Sequence, residues 1–316
     1  MSFWHGIKLW AAGGELAVIH EFHKPPYGGG NQFLLALIRE LENQGIKVSQ
    51  NRVGPATKVL LVNSFNFDFE KVKRYKNRNL RIIHRVDGPV SVYRSLPDST
   101  IDRRISDWNL EMADATIMQS RYSKEMHEAL DIHFKAPVII PNAVNPAFFF
   151  RSDQARDKKR KIRIAGTSWS TNPKKGLALY SWLDENLDFS RYELSFMGRI
   201  ESKFKNIKAY APRGSEEVGA FLRQQDIYFM PSENECCSNA LIEALTSGLP
   251  SVYKDSGSSP ELVGKGGEPF HNVEEVPALF AQIADKLDEY REHIRVLSIS
   301  EVGRRYSEVL KVAGSK

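Results

Sequence analysis

The stretch "DIYFMPSENECCSNALIEALTSGLPSVYKDS", residues 226–256, reads as apolar strand, polar loop, amphipathic helix and apolar strand. "DIYFMPS" is short, apolar and aromatic-rich, and is bounded by a proline and a serine, which predicts a buried strand. Ser238 or Asn239 is a natural N-cap for a helix over "SNALIEALTSG", and Gly248 is its natural stop. "LPSVYKDS" then begins another strand. Two strands joined through a helix lie parallel in one sheet, because the crossover returns the chain to the end from which it started.

The same alternation extends in both directions. "LAVIHEF" predicts a strand, followed by "PPYGGG" and the helix "NQFLLALIRELENQG", with Phe33, Leu34, Leu37, Ile38 and Leu41 on one face and Gly45 as its stop. "IKVSQ", "KVLLVNS", "LRIIHRVDG", "ATIMQS" and "APVIIPN" are further short strands. Residues 149–161, "FFRSDQARDKKRK", carry no apolar period and read as a linker. The pattern restarts with "KIRIAGTS", helix "GLALYSWLDENL", "YELSFMG", "IKAYAP" and helix "SEEVGAFLRQQ". From about Val276 the tail is helical and amphipathic. The expected fold class is α/β, with two doubly wound, Rossmann-like parallel-sheet domains facing across a cleft. The first covers 1–148 and the second 162–295, and a last helix in 296–316 packs back toward the first. Ligands in such sheets sit at the carboxyl ends of the strands.

Composition bounds the function. A chain of 316 residues suits two domains, and its hydrophobic content of 41% and charged content of 26% are those of a soluble globular protein. No apolar run reaches the ~18 residues that span a bilayer. The first residues, "MSFWHGIKLWAAGGEL", lack the basic and apolar regions of a secretion signal. Trp4, Ile7 and Trp10 suit either contact with a membrane surface or packing on the domain. Cys236 and Cys237 are the only cysteines and are adjacent, which fits a reduced, cytoplasmic protein with no disulfide framework and no zinc site. The net charge is +5; residues 1–150 carry 19 Lys and Arg against 15 Asp and Glu, the remainder 25 against 24. The basic run 71–85, "KVKRYKNRNLRIIHR", lacks interleaved aromatic stacking residues, so nucleic acid is not an expected partner. It fits a solvated face or attraction to anionic headgroups at an inner membrane surface.

The chemistry concentrates around residue 235. Glu235 and Glu243 lie eight positions apart, the first in the loop at the carboxyl end of a strand and the second inside the following helix. The unpaired N–H groups of that helix start, with its dipole, suit a diphosphate. Glu243, with two acceptor oxygens, suits the paired hydroxyls of a ribose, and Glu235 can reach a sugar ring. An acidic first turn that only complements the helix dipole explains Glu243 equally well. Gly28, Gly29 and Gly30 follow a strand and open a helix, so they permit close approach of backbone to phosphate or acceptor, or make a plain turn. Cys236 and Cys237 read as small packing residues, since no partner histidine is evident. No D-x-D pair offers a metal bridge; "NFDFE" has only a D-x-E.

Taken together, "PSENECCSNALIEALTSGLPSVYKDSGSSPELV" resembles the E-x7-E region of retaining GT-B glycosyltransferases of the family 4-like group. "PPYGGGNQFLLALIRELENQGIKV" is similar to that family's glycine-rich loop and helix. "IMQSRYS" resembles a strand and loop late in its first domain, "IIPNAVNPAFF" its interdomain segment, and "NPKKG" its lysine-glycine element. These stretches fall in the family's order over roughly residues 16–270. The resemblance implies metal-independent transfer of a sugar from a nucleotide sugar to a glycan or lipid-linked acceptor, with retention, and no bound cofactor. It implies donor contacts from Gly29, Gly30, Ser170, Lys174, Lys175, Cys237, Ser238, Asn239 and Glu243. It implies acceptor contacts from Gly28, His84 and Asp87, and catalytic roles for Lys175, Glu235 and Asp87. Two departures stand out. Ser170 occupies the slot where the family has an arginine, and a hydroxyl supplies no countercharge, leaving Lys174 or Arg199 to compensate. The family's histidine-glycine pair is here Asp87-Gly88, with His84 three residues earlier inside an apolar run that also suits a packed strand residue. A sugar-nucleotide epimerase of the same fold, and an inactive nucleotide- or glycan-binding relative, are the rival readings.

Overall fold

The computed structural model describes residues 13–23, 29–75, 80–152, 157, 159–200 and 203–311. Trp4, Ile7, Trp10 and Gly28 lie outside the described residues. The chain divides into two compact units. One comprises Met1–His23, Leu34–Asn142 and Ile299–Lys316, the other Lys24–Phe33 and Ala143–Ser298.

The first unit is built on a parallel sheet of β1 (Leu16–Ile19), β2 (Val48–Gln50), β3 (Val59–Asn63), β4 (Arg81–Val86), β5 (Ala115–Met118) and β6 (Pro137–Ile139), in the order β2-β1-β3-β4-β5-β6. β3 is buried along its whole length, as a strand with both faces covered must be. Helix Gly29–Asn43 buries Phe33, Leu34, Leu37, Ile38 and Leu41. It stops at Gly45, whose φ of 86° lets its N–H reach the Glu42 carbonyl while Ile46 N–H turns back to Leu41. The last helix, Ile299–Leu310, belongs to this unit and buries Val302, Tyr306 and Leu310. A side chain on Gly303 would stand 2.6 Å from Glu40 Cγ, and Ser307 Oγ donates to Gln44 Oε1 at 2.9 Å. Small residues let the two helices touch.

The second unit is a parallel sheet of β7 (Ile162–Ser168), β8 (Tyr192–Gly198), β9 (Lys208–Tyr210), β10 (Ile227–Met230), β11 (Ser251–Lys254) and β12 (Gly267–Phe270), ordered β12-β11-β10-β7-β8-β9. Strand alternation splits its core in two. Ile227 and Phe229 pack on one face with Leu194, Phe196, Phe270 and Phe280. Tyr228 and Met230 pack on the other with Met197, Leu241, Leu245 and Tyr253. Each fully buried aromatic or leucine contributes about 2–3 kcal/mol. The direction of winding reverses between β7 and β10, so a crevice opens at their carboxyl ends.

The structure differs from the sequence expectations in several places. The second unit starts at Ala143, not after a linker, because Phe149 is buried in its core and Arg223 donates to the Phe148 carbonyl at 2.6 Å. Residues 24–33 also group with it. Helix Thr100–Met112 went unmarked because only Ile105, Trp108 and Met112 stand apolar and buried among its charges. The tail breaks at Lys286 into helices Val276–Asp285 and Leu287–His293. No helix among the described residues is long and apolar enough to cross a membrane.

Candidate active site

β7 and β10 are neighbours, with Tyr228 level with Ala165, so the loops after them meet. After β7 the chain makes a short 3-10 turn, Pro173–Lys175. Asn172 caps it, its side chain accepting from Lys174 N–H. Gly176 follows at φ 67°, and any side chain there would stand 2.5 Å from the Pro231 carbonyl. Glu233 N–H donates to the Lys174 carbonyl at 2.7 Å, tying the second loop to the first. This close approach brings Lys175 Nζ to Glu235 Oε1 at 2.5 Å, with both side chains largely buried.

The loop bearing Glu235 is clamped from the other side by the turn after β11. Ser258 N–H donates to the Glu235 carbonyl at 2.8 Å, and Asn234 N–H to Ser256 Oγ at 3.0 Å. Gly257, at φ 65°, passes so near that a Cβ would stand 2.6 Å from Glu235 N. Glu235 is therefore set by the backbone of three loops.

Helix Asn239–Thr246 starts as its sequence predicts. Ser238 is the N-cap and accepts from Leu241 N–H at 3.4 Å, and Gly248, at φ 83°, lies just past the end. Glu243 sits inside it, half-buried. Among the described residues no side chain or N–H donates to its carboxyl, and burial pushes that carboxyl up from 4.5 to about 8. Tyr228, on β10, lies within the electrostatic reach of both Glu243 and Lys175. Burial, above all, holds its phenol up at about 12, and its hydroxyl pairs with Thr167 Oγ1 at 2.8 Å. Tyr228 and Thr167 are thus a polar floor that the sequence reading missed. A tyrosine inside the apolar run "DIYFMPS" was the available signal.

Gly29 opens the helix Gly29–Asn43, and a Cβ on it would stand 2.6 Å from Asn239 Nδ2. The two helix starts, at Gly29 and at Asn239, are therefore in contact within the second unit. Gly30 faces open space. Cys237 is buried and Cys236 half-buried. Ser170, in the slot of the family arginine, accepts from Asn172 N–H at 3.1 Å and so shapes the turn. Arg199 is exposed just past β8, where its N–H donates to the Ser168 carbonyl at 2.9 Å.

Asp87 and His84 belong to the first unit. Asp87 closes β4 with its side chain about a third exposed, at 37%. His84 corrects the expectation of an acceptor contact. It is wholly buried against Trp108 and Phe67. Its Nε2 donates to the Ser64 carbonyl at 2.7 Å, and its Nδ1 accepts from Asn109 Nδ2 at 3.1 Å. Burial pulls its pKa down to about 4, so it is a neutral core residue with both ring nitrogens spent. Among the described residues no group of three or more His, Cys, Asp and Glu gathers around a point.

Residues 182–289 match the family described as Glycosyl transferases group 1, a segment that holds Glu235, Ser238 and Glu243. The MMP alpha-(1->4)-mannosyltransferase of Mycolicibacterium hassiacum is 26% identical over 171 residues, 48% of this chain. The aligned part is 41% of that relative's length. Among solved structures, sucrose-phosphate synthase of Thermosynechococcus elongatus superposes with a TM-score of 0.69 at 13% identity, over 93% of this chain and 94% of that one. Anabaena HepE, solved in complex with UDP and glucose, superposes with a TM-score of 0.70 at 12% identity, over 94% and 99%. In fold this chain is therefore a GT-B protein, and its residues 182–289 carry the sequence pattern of the group 1 glycosyl transferases.

Proposed function

We propose that this chain is a glycosyltransferase. It moves a sugar from a nucleoside-diphosphate sugar to a hydroxyl of a glycan or lipid-linked acceptor, with retention and without a metal. The observation that carries this reading is the grouping at the carboxyl ends of β7 and β10: the Lys175–Glu235 pair beside a half-buried carboxyl, Glu243, that no donor among the described residues meets. A carboxyl so placed costs folding free energy, and two ribose hydroxyls supply the donors it lacks. The helix start at Ser238–Asn239 offers N–H groups to the diphosphate, and Lys175 offers the countercharge.

In this reading the bond between the anomeric carbon and the phosphate oxygen breaks, its electron pair leaving with the nucleoside diphosphate. The acceptor oxygen bonds to the same carbon on the face just vacated, and its proton passes to the departing phosphate oxygen. Lys175 stabilises the charge that develops on that oxygen, and this takes the place of a divalent ion. Glu235, released from Lys175 as the diphosphate arrives, accepts from hydroxyls of the transferred sugar. The sheet geometry and the matched segment support these roles. We place the activity in the cytoplasm, and at the inner membrane surface where the acceptor is lipid-linked; the exposed Lys71 and Arg74 support that attraction.

The test is calorimetry of the whole chain with UDP, GDP, ADP, CDP and dTDP in EDTA, UDP first because HepE was solved with it. At least one should bind, and Glu243→Ala should weaken it. No heat from any of the five removes the donor pocket and the activity with it.

A further inference from the structure

At the carboxyl ends of β1, β3, β4, β5 and β6 lie His20, Asn63, Arg85 with Asp87, Gln119 and Asn142, and these six side chains form one continuous chain of hydrogen bonds. Arg85 is its centre and is completely buried. Its Nη1 donates to Asn63 Oδ1 at 2.6 Å and to Asp87 Oδ1 at 3.2 Å, and its Nη2 donates to Asn142 Oδ1 at 2.7 Å.

A guanidinium has only donors, so it dictates which end of every neighbouring amide faces it. With its oxygen turned to Arg85, Asn142 offers Nδ2 to Gln119 Oε1 at 3.0 Å. Gln119 must then donate from Nε2, and it does so to Asp87 Oδ1. On the other arm Asn63 turns its Nδ2 to His20 Nδ1 at 3.2 Å. That nitrogen must be the acceptor, which leaves the proton of the neutral ring on Nε2. One arginine thus sets the polarity of the whole chain. At its end Asp87 Oδ1 is filled twice, while Oδ2 meets no protein donor among the described residues.

A buried guanidinium costs several kcal/mol in desolvation, and apolar side chains would fill the same space without it. Its place at the ligand-facing edge of the sheet gives it another use. We propose that Arg85 is a positioning residue that locks Asp87 as an acceptor-only group, so that the first unit takes a ligand hydroxyl there and excludes a phosphate or carboxylate. The identification of that ligand as the sugar acceptor rests on the glycosyltransferase reading. Gln119 and Asn142 carry the instruction from Arg85 to Asp87. Both oxygens of an anionic ligand would face the Oδ2 charge with no donor between them.

The experiment uses the whole chain with 15N-labelled histidine and glutamine, His20 and Gln119 being assigned by loss of signal in His20→Gln and Gln119→Leu. In the wild type, His20 shows the pattern of a neutral ring protonated at Nε2. In Asn63→Asp, a carboxylate facing Nδ1 demands a donor, so the proton moves to Nδ1 or a second is taken up. A wild-type ring protonated at Nδ1 overturns the inference. Methyl α-glucoside and methyl α-mannoside should shift the Gln119 amide signal, whereas glucose 6-phosphate and glucuronate should not. Gln119→Glu should weaken the neutral glycosides about tenfold, the loss of one hydrogen bond to a charged group. It should leave UDP binding and the His20 pattern unchanged, which a general loss of fold would not. Anionic sugars that bind as well as neutral ones, or a panel that shifts nothing, overturn the site. A chain that binds no nucleotide yet shows this pattern would fail as a transferase and keep the inference.

Discussion

The carboxyl ends of the two sheets spend their charges differently. In the first unit Arg85 is wholly buried and hydrogen-bonded to three side chains, and each contact inside the network has a donor facing an acceptor, with Asp87 Oδ2 and the buried His20 Nε2 left over among the described residues. In the second, Lys175 and Glu235 hold one another, and Glu243 is left with a carboxyl that burial pushes up to about 8. The first edge is settled before any ligand arrives. The second is in a state that a diphosphate and a ribose would relax. A fixed edge suits a partner that must be aimed, and an unrelieved edge suits a partner that brings charge and donors of its own.

The contrast breaks first at Lys175. If its role is to meet charge on the departing phosphate, Lys175→Ala should lower acceptor-dependent nucleotide release by about 10²–10³-fold, as the loss of one preorganised stabiliser does elsewhere. Nucleotide affinity should fall much less, because the helix start and Glu243 remain. Equal losses in turnover and affinity would make Lys175 a ground-state anchor only, and the second edge would then resemble the first.

Gly29 offers a sharper cut at smaller cost. Its missing side chain lets this helix start lie against Asn239, where a Cβ would stand 2.6 Å from Nδ2. Gly29→Ala should cost about 1–3 kcal/mol through overpacking at the helix start. It should weaken diphosphate binding more than it lowers the urea midpoint of the chain. Gly30→Ala, facing open space, should change neither. Matching behaviour of the two variants would separate Gly29 from the site.

How far these edges can be read from sequence alone follows from the distance over which their contacts act. Gly45, Ser238 and Gly248 were legible because a cap or stop depends on residues three or four positions away. The central strands β3 and β10 were legible because a parallel strand covered on both faces is apolar nearly throughout. Glu235 and Lys175 were each nameable from local pattern and family likeness, yet their pairing spans 60 positions and rests on Gly176, Gly257 and two loop carbonyls. Of the network around Arg85 only Asp87 was named from the sequence. The partners of Arg85 lie 2, 22 and 57 positions from it, and nothing local joins them. One trace was present in "LRIIHRVDG": an arginine inside an apolar strand run has to be paid for by partners from other strands. The same run hid the opposite outcome for His84, whose two ring nitrogens are consumed by Ser64 and Asn109.

The finest test of the contrast is the titration of Glu243, because it separates a carboxyl awaiting donors from one that is merely buried. In the unfolded chain this group titrates near 4.5, and in the folded chain near 8. Below about pH 4 both states hold the proton, so Glu243 contributes no pH dependence. As the pH rises past 4.5 the unfolded chain loses a proton that the folded chain keeps, and stability falls until about pH 8, where the penalty is complete. Glu243→Gln never ionises and escapes it. Its urea midpoint should equal the wild type's near pH 4 and exceed it increasingly up to pH 8; a constant or shrinking difference would mean that the carboxyl is not held high. Nucleotide binding should show the other half of the argument. Ribose hydroxyls donating to the carboxylate favour its ionised form, so UDP binding near pH 7 should release a proton in the wild type and none in Glu243→Gln. Calorimetry in two buffers of different ionisation enthalpy reads that proton directly. The variant should bind UDP about tenfold more weakly, the worth of a hydrogen bond to a charged group. Proton release that survives the substitution would move the ribose away from Glu243 and leave the second edge with an unexplained buried acid.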